Sequence, residues 1–388
     1  MPSGYRISQL MSTIYDGTSR NAISGGRVGS ALPTSVTDAW KPQSPRKLNY
    51  LSYYTASLSK ELGNLDEGDV AFIKELIHPP EDKYDTVRDG EDEEKKKNFF
   101  LYEIVANETY GVDVDKWDYF ARDSLYLGVK NSFDHDRLIA SARACLDKNG
   151  VSHVTYRDKD VDTLYEMFHI RFTLYRKAYL HRVSKAIEMM IGDAMDFAED
   201  IKVKGDDGRP KRIHEAVDDM SAYIKLNDDI LHKIAESSSK AARTLVSRIF
   251  TRDIYTHLGE KTITNDMKEQ DVVKEILGTE NEEKELQKNL GVDIASYDYG
   301  NKDKNPVLNA YFYTKNDKTA KKLEERALGR RMMVPMQFNE KVARMFCKDP
   351  KYEETLKEKT KVWCNIKKLA EQQSNKCVED NSAFLIIQ

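Results

Sequence analysis

Apolar positions recur through residues 160–200 at a spacing close to 3.6: Leu164, Phe168, Phe172, Tyr175, Tyr179, Val183, Ile187, Met190 and Ala194. That period predicts the longest helical segment of the chain, with one face turned inward. Upstream, "DEGDVAFIKELIHPP" predicts a short helix that opens on acidic and glycine punctuation and stops at two prolines. "NFFLYEIVAN" carries apolar residues into a core, and "DVDKWDYFARDSLYLG" predicts a helix ended by a glycine cap at Gly128. "DHDRLIASARACL" reads as a further helix and "VSHVTYRDKD" as a short β-prone stretch. "IHEAVDDMSAYIKLNDDILHKIAES" and "SKAARTLVSRIFTRD" predict two more helices. After residue 255 the pattern changes: "YTHLGEKTI", "GVDIASYDYG" and "LNAYFYTK" alternate and favour β-branched and aromatic residues, as strands do. Helical signals return from about Asn339 to Gln372. The expected architecture is mainly α, a helical body followed by a smaller C-terminal α/β lobe.

The ends read differently. Residues 1–48 are rich in Ser, Thr and Gly without sustained periodicity, and residues 1–64 are expected to form a disordered or divergent leader. The body then spans 65–255, the lobe 256–372, and a tail 373–388. The closing "AFLIIQ" is far too short to span a membrane, and no apolar run approaches that length. The N-terminus carries no basic-then-apolar signal pattern.

Composition narrows the class. Charged residues make up 32% and hydrophobic ones 40%, the balance of a helix-rich globular protein. With a net charge of −4, any polyanion binding must come from a local patch. The four cysteines, Cys145, Cys347, Cys364 and Cys377, show no CxxC and no zinc spacing, which points to reduced thiols and a nuclear or cytoplasmic setting.

Two constellations carry candidate chemistry. On a helix, Asp115, Tyr119, Arg122 and Asp123 fall on one face. Two carboxylates, a guanidinium and a phenol can hold a divalent metal and orient a phosphate. The plainer alternative is a solvated charged face on a helix capped by Asp113 or Asp115. The second constellation is "HIRFTLYRKAYLHRVSK", which holds Arg171, Arg176, Lys177, Arg182 and Lys185 with no acidic residue. Arg171, Tyr175, Tyr179 and Arg182 can share a face there, with Arg157 and Lys159 just upstream. Guanidiniums grip phosphates in bidentate fashion, so this is a concentrated anion site or else a basic helix awaiting acidic neighbours.

With these residues in view, four long strings bring a likeness: "FLYEIVAN…GVDVDKWDYFARDSLYLGVKNSFDHDRLI", "RDKDVDTLYEMFHIRFTLYRKAYLHRV", "VDDMSAYIKLNDDI" and "YDYGNKDKNPV". They resemble the SAM- and HD-domain deoxynucleoside triphosphate triphosphohydrolases from about Leu65 to about Lys368. The resemblance implies cleavage of a dNTP to deoxynucleoside and triphosphate, GTP and dNTP as allosteric activators, lowered dNTP pools, and antiviral restriction. It implies a divalent metal (Zn, Fe, Mn or Mg) and oligomerisation. By position, Asp115 matches the last metal ligand. Lys116, Tyr119 and Arg171 match groups around the triphosphate; Asp123 and Tyr179 match deoxyribose contacts. Arg137, Arg157, Lys159, Arg182, Val183, Arg252 and Lys315 match parts of the allosteric nucleotide sites. The sequence departs from the family at Thr163 (Asn in the family), Tyr175 (a histidine near the reacting phosphate) and Leu180 (a glutamine near the base). Losing that histidine bears on proton transfer, since a tyrosine titrates far above neutrality.

The doublet His135-Asp136 looks like an HD pair but follows Asp115, which it should precede. It opens a helix where Asp134 or Asp136 makes an ordinary cap. Of eight histidines only His78 lies before Asp115, and Pro79 follows it. A lone aspartate does not hold a catalytic transition metal. The chain is therefore expected to lack the SAM domain and most of the HD core, and to leave Trp117, Phe120 and Leu125 exposed or covered by the leader. It would then bind nucleotide without efficient hydrolysis. Alternatively it co-assembles as a regulatory subunit with a full-length relative, or is part of an active enzyme. Single-stranded nucleic acid is a further candidate partner of the basic helix.

Overall fold

The computed structural model describes residues 67–80, 82–264, 266–278, 284–324, 335 and 337–365. The leader, Cys377, "AFLIIQ" and the tail lie outside them. The fold is mainly α, with a helical body and a small α/β lobe. By compactness the chain forms two units, each assembled from several segments.

The first unit takes residues up to 179, then 199–233 and 298–339. Its opening helices are α1 (Glu67–Ile77), α2 (Lys83–Asp89) and α3 (Glu93–Asn98), followed by a 3₁₀ turn at Phe99–Glu103. Helix α4 (Val114–Leu127) begins where Asp113 caps it, its carboxylate accepting from the Lys116 amide at 3.1 Å. It ends at Gly128, whose φ of 65° is a left-handed conformation that costs glycine little. Helix α5 (His135–Ser141) is capped by Asp134, which accepts from the Arg137 amide at 3.0 Å. Helix α6 (Val161–Leu174) runs through the middle of the core.

A four-stranded sheet has the order β1 (Arg143–Leu146), β2 (Ser152–Arg157), β7 (Tyr311–Tyr313), β8 (Lys321–Lys322). Strand β2 pairs antiparallel with β1 and parallel with β7, with Tyr156 opposite Phe312. Thus "DHDRLIASARACL" is not one helix: it leaves the helix at Ser141, and residues 143–146 join a sheet. Backbone pairing with β2 outweighs the local helical pattern.

The apolar face of α4 also differs from expectation. Trp117 and Phe120 are fully buried, and the Trp117 indole donates to the Met167 sulfur of α6 at 3.3 Å. Leu125 alone of that set is exposed, beside Tyr126 and Leu127. The segment 213–235 is three short helices, α8 (Ile213–Ala216), α9 (Met220–Tyr223) and α10 (Ile230–Ala235), rather than one. The first unit also carries a two-stranded ribbon, β3 (Lys202–Lys204) with β4 (Pro210–Arg212).

The second unit takes residues 180–198, 234–297 and those from 340 onward. It packs α7 (Arg182–Phe197) against α11 (Lys240–Phe250). A three-stranded sheet has the order β5 (Thr256–Ile263), β9 (Asn339–Cys347), β6 (Leu290–Asp298). Helices α12 (Glu269–Leu277), α13 (Lys284–Asn289) and α14 (353–365) complete it. Residues 339–347, expected to be helical, form the central strand, with Thr256 opposite Cys347 and Ile263 opposite Lys341. Its core gathers Val272, Met345, Leu356 and Trp363. Cys145, Cys347 and Cys364 are free thiols.

The long periodic segment 160–200 is interrupted. After α6 the backbone widens into a π turn at Tyr175–Tyr179, and His181 caps a new helix, accepting from the Val183 amide at 3.3 Å. Arg182 therefore opens a helix of the second unit and does not continue the face of Arg171, Tyr175 and Tyr179.

Candidate functional site

In the first unit, α4 and the end of α6 bring one set of candidates together. As expected for one helix face, α4 runs unbroken from Asp115 past Asp123. Tyr179, held in the π turn, donates its hydroxyl to the Asp123 carboxylate in a very short hydrogen bond. The Tyr179 ring meets Tyr119 edge-on at 6.4 Å and Tyr175 at 5.2 Å. The Arg171 guanidinium sits over the Tyr175 ring at 4.4 Å. Tyr119, Asp123, Arg171, Tyr175 and Tyr179 thus form one connected patch. Burial, helped by Tyr175, raises the Tyr119 phenol well above its ordinary pKa, so it stays a neutral donor.

Arg171 has a partner that no local pattern announced. Its Nη1 donates to the Asp298 carboxylate at 2.7 Å and to the Asp298 carbonyl at 2.6 Å. Burial opposes its charge, but Tyr175 and Asp298 outweigh that and leave its pKa above the ordinary arginine value. The Asp298 carboxylate also accepts from the Gly300 amide at 2.7 Å, and Gly300 holds a φ of 91° that a side chain would strain. Tyr299 stacks on Phe172 at 5.2 Å and fixes the loop against α6. "YDYG" was visible as a strand ending in glycine. Nothing in it pointed to a residue 127 positions away.

Lys116 is drawn to the start of α4, where it pairs with the nearly buried Asp113 at 2.7 Å. Arg122 turns to Asp118 at 3.1 Å rather than to the patch. Asp115 is exposed in the first turn of α4. A catalytic metal needs several protein donors, and among the described residues no group of three or more His, Cys, Asp or Glu is disposed to hold one. The donor set present does not fit the family's metal, and we derive no step through it.

A second set lies elsewhere in the same unit. Arg137, Arg157 and Lys159 line one cleft of about 300 Å³, together with Arg143, Asp160 and Tyr313. Arg137 Nε donates to the fully buried Asp160 at 3.0 Å, which fixes the arginine at the cleft wall. The Arg157 guanidinium lies 5.6 Å from the Tyr313 ring centroid. Three of the expected nucleotide contacts therefore share a wall, and Arg143, Asp160 and Tyr313 are additions that sequence reasoning missed. Lys315 is exposed just beyond β7 and does not line this cleft. Arg182, Val183 and Arg252 belong to the second unit. Arg252 follows α11 with a φ of 66°, unusual for a residue with a side chain.

No family model matches the chain. Among curated proteins, it is 39% identical over 316 residues to the deoxynucleoside triphosphate triphosphohydrolase SAMHD1 of Danio rerio, covering 76% of this chain and 50% of that protein. To the protein of that name from Xenopus laevis it is 37% identical over 347 residues, covering 82% and 54%. To that from Homo sapiens it is 37% identical over 308 residues, covering 74% and 48%. The chain spans about half the length of the curated relatives it matches. By these matches the chain belongs to the SAMHD1 deoxynucleoside triphosphate triphosphohydrolase family, of which it matches the C-terminal part.

Proposed function

We propose that this chain binds deoxynucleoside triphosphates at the patch of Arg171, Tyr175, Tyr179, Tyr119 and Asp123, and by itself hydrolyses them poorly. The observation that carries this is the joining of a partly buried guanidinium, three phenols and a carboxylate in one patch, in a chain whose relatives are named for acting on these nucleotides. Arg171 offers two parallel N–H groups to a phosphate, an arrangement that an ammonium cannot match. Asp298 now holds that guanidinium, and a triphosphate with its greater charge competes for it. Lys116, on its short tether to Asp113, supplies a second cation to the phosphates. The Tyr179–Asp123 pair presents an aromatic face and a carboxylate, which suit a deoxyribose with its 3′-hydroxyl. Turnover needs metal donors beyond Asp115, and the described residues do not add them.

The cleft of Arg137, Arg157 and Lys159 supports a second nucleotide contact, for GTP or a dNTP as regulator, with Tyr313 as an aromatic wall. The test is calorimetric titration of dGTP into the purified chain and into Arg171→Ala and Arg157→Ala variants, with triphosphate release followed in Mg²⁺ or Mn²⁺. Saturable binding weakened by each substitution, with negligible release, is the expected result. Binding indifferent to Arg171→Ala would sink the site assignment. Robust release by the chain alone would overturn the claim of poor hydrolysis.

A further inference from the structure

In the second unit a cleft of about 700 Å³ opens beside the end of α7 and one face of α11. Its lining holds four cations, Lys240, Arg248, Lys288 and Lys348, against a single carboxylate, Asp193. That carboxylate is already answered twice: Lys348 Nζ stands 2.7 Å from it, and the Tyr255 hydroxyl donates to it at 2.6 Å. It therefore presents little negative charge to a ligand. Arg248 turns to Asp253 at 2.9 Å and Lys288 to Glu285 at 2.8 Å. Both of those acids are largely exposed, and such pairs contribute little, so a stronger anion displaces them readily. Lys240 and Arg248 lie eight positions apart on α11 and so share its cleft-side face, with Lys240 at the positive end of the helix. A protein of net charge −4 does not gather such a surplus of cations by composition alone.

We infer that this cleft is a binding site for a small anion carrying two or more phosphate charges, separate from both sites of the first unit. Lys240, Arg248 and Lys288, three cations beyond the Lys348–Asp193 pair, spread over a volume of small-molecule size and match several negative charges at fixed spacing, which a monocarboxylate cannot supply. The Arg248 guanidinium donates to two oxygens of one phosphate, and Lys240 and Lys288 meet another as point charges.

The experiment titrates inorganic tripolyphosphate, with citrate as the carboxylate comparison, into the full chain carrying Arg157→Ala and Arg171→Ala. Those changes silence the two sites of the first unit, so failure here is distinct from failure of the proposed function. One saturable tripolyphosphate site is expected to remain, tighter than citrate and weakened by salt. Adding Lys240→Ala and Lys288→Ala, both exposed and so harmless to folding, is expected to weaken it by about tenfold or more. A circular-dichroism melt confirms that the variant stays folded. The inference is wrong if no tripolyphosphate binding survives in the parent variant, if the two lysine changes leave it intact, or if citrate binds as well.

Discussion

Arg171 is the residue on which the proposed nucleotide site turns, and Asp298 is the residue that holds it. The Asp298 carboxylate accepts from Nη1 at 2.7 Å, and in the proposed site a phosphate oxygen would compete for that donor. Replacing Asp298 with Asn should free the guanidinium and raise dGTP affinity. Arg171→Ala should lower it by about tenfold to a hundredfold, the range for losing a charge-assisted contact; calorimetry reads both. Arg171 was legible in the sequence because an acid-free basic stretch stands out. Asp298 was not, because pairing across 127 positions leaves no local trace. A second prediction concerns Asp147 in the β1–β2 turn. Burial there works against its charge, but the amides of Val151 and Asn149, at 2.9 Å and 2.8 Å, and the Tyr84 hydroxyl outweigh it and lower its pKa. A lowered folded-state pKa adds stability that is complete above the ordinary carboxylate range and is lost as pH falls through the folded value. The urea midpoint should therefore drop as pH falls from neutrality to about pH 3. Asp147→Asn should flatten that slope, and an unchanged slope would refute the assignment.

Helix α4 shows how local chemistry fixes an element. Asp113 stops it at one end, accepting from Lys116 and from the Asn107 amide at 3.1 Å each, and Gly128 stops it at the other. A Cβ at Gly128 would meet nothing within 4 Å, so Gly128→Ala tests backbone strain alone. It should destabilise the chain by about 1 kcal/mol, seen as a lower melting temperature. The glycine cap was readable and the N-cap was narrowed to Asp113 or Asp115, because capping depends on residues a few positions apart; the fold uses Asp113. Strand β9 was not readable. "NEKVARMFC" carries a run of buried residues from Val342 onward, which period alone cannot assign to helix or strand. Its place between β5 and β6 decided the matter. The π turn at Tyr175–Tyr179 was equally silent, since its apolar spacing continues that of α6. Yet the turn is what places the Tyr179 hydroxyl on Asp123.

For the whole molecule, the buried face of α4 is the clearest measure of integrity. Trp117 is fully buried against α6 and near Phe133. Trp117→Ala should cost about 3–5 kcal/mol of stability, the range for deleting a large aromatic from a core. A thermal melt moved by only a degree or two would show that the leader or solvent, rather than α6, had covered that face. The sequence by itself determined the family, the mainly helical class, the Gly128 cap of α4, the N-caps of α4 and α5 to within two aspartates each, and the cationic residues of the proposed phosphate site. Each of these is written in residue identity or in spacings of a few positions. Only the tertiary structure decided that 143–146 and 339–347 are strands, that Trp117 and Phe120 are buried, and that two units each draw on distant segments. It also decided that Asp298 holds Arg171, and that Asp160 and Tyr313 complete the cleft of Arg137 and Arg157. Those outcomes depend on which backbone edges and charges meet across long stretches of chain. Long-range pairing and burial override local preference wherever the two compete.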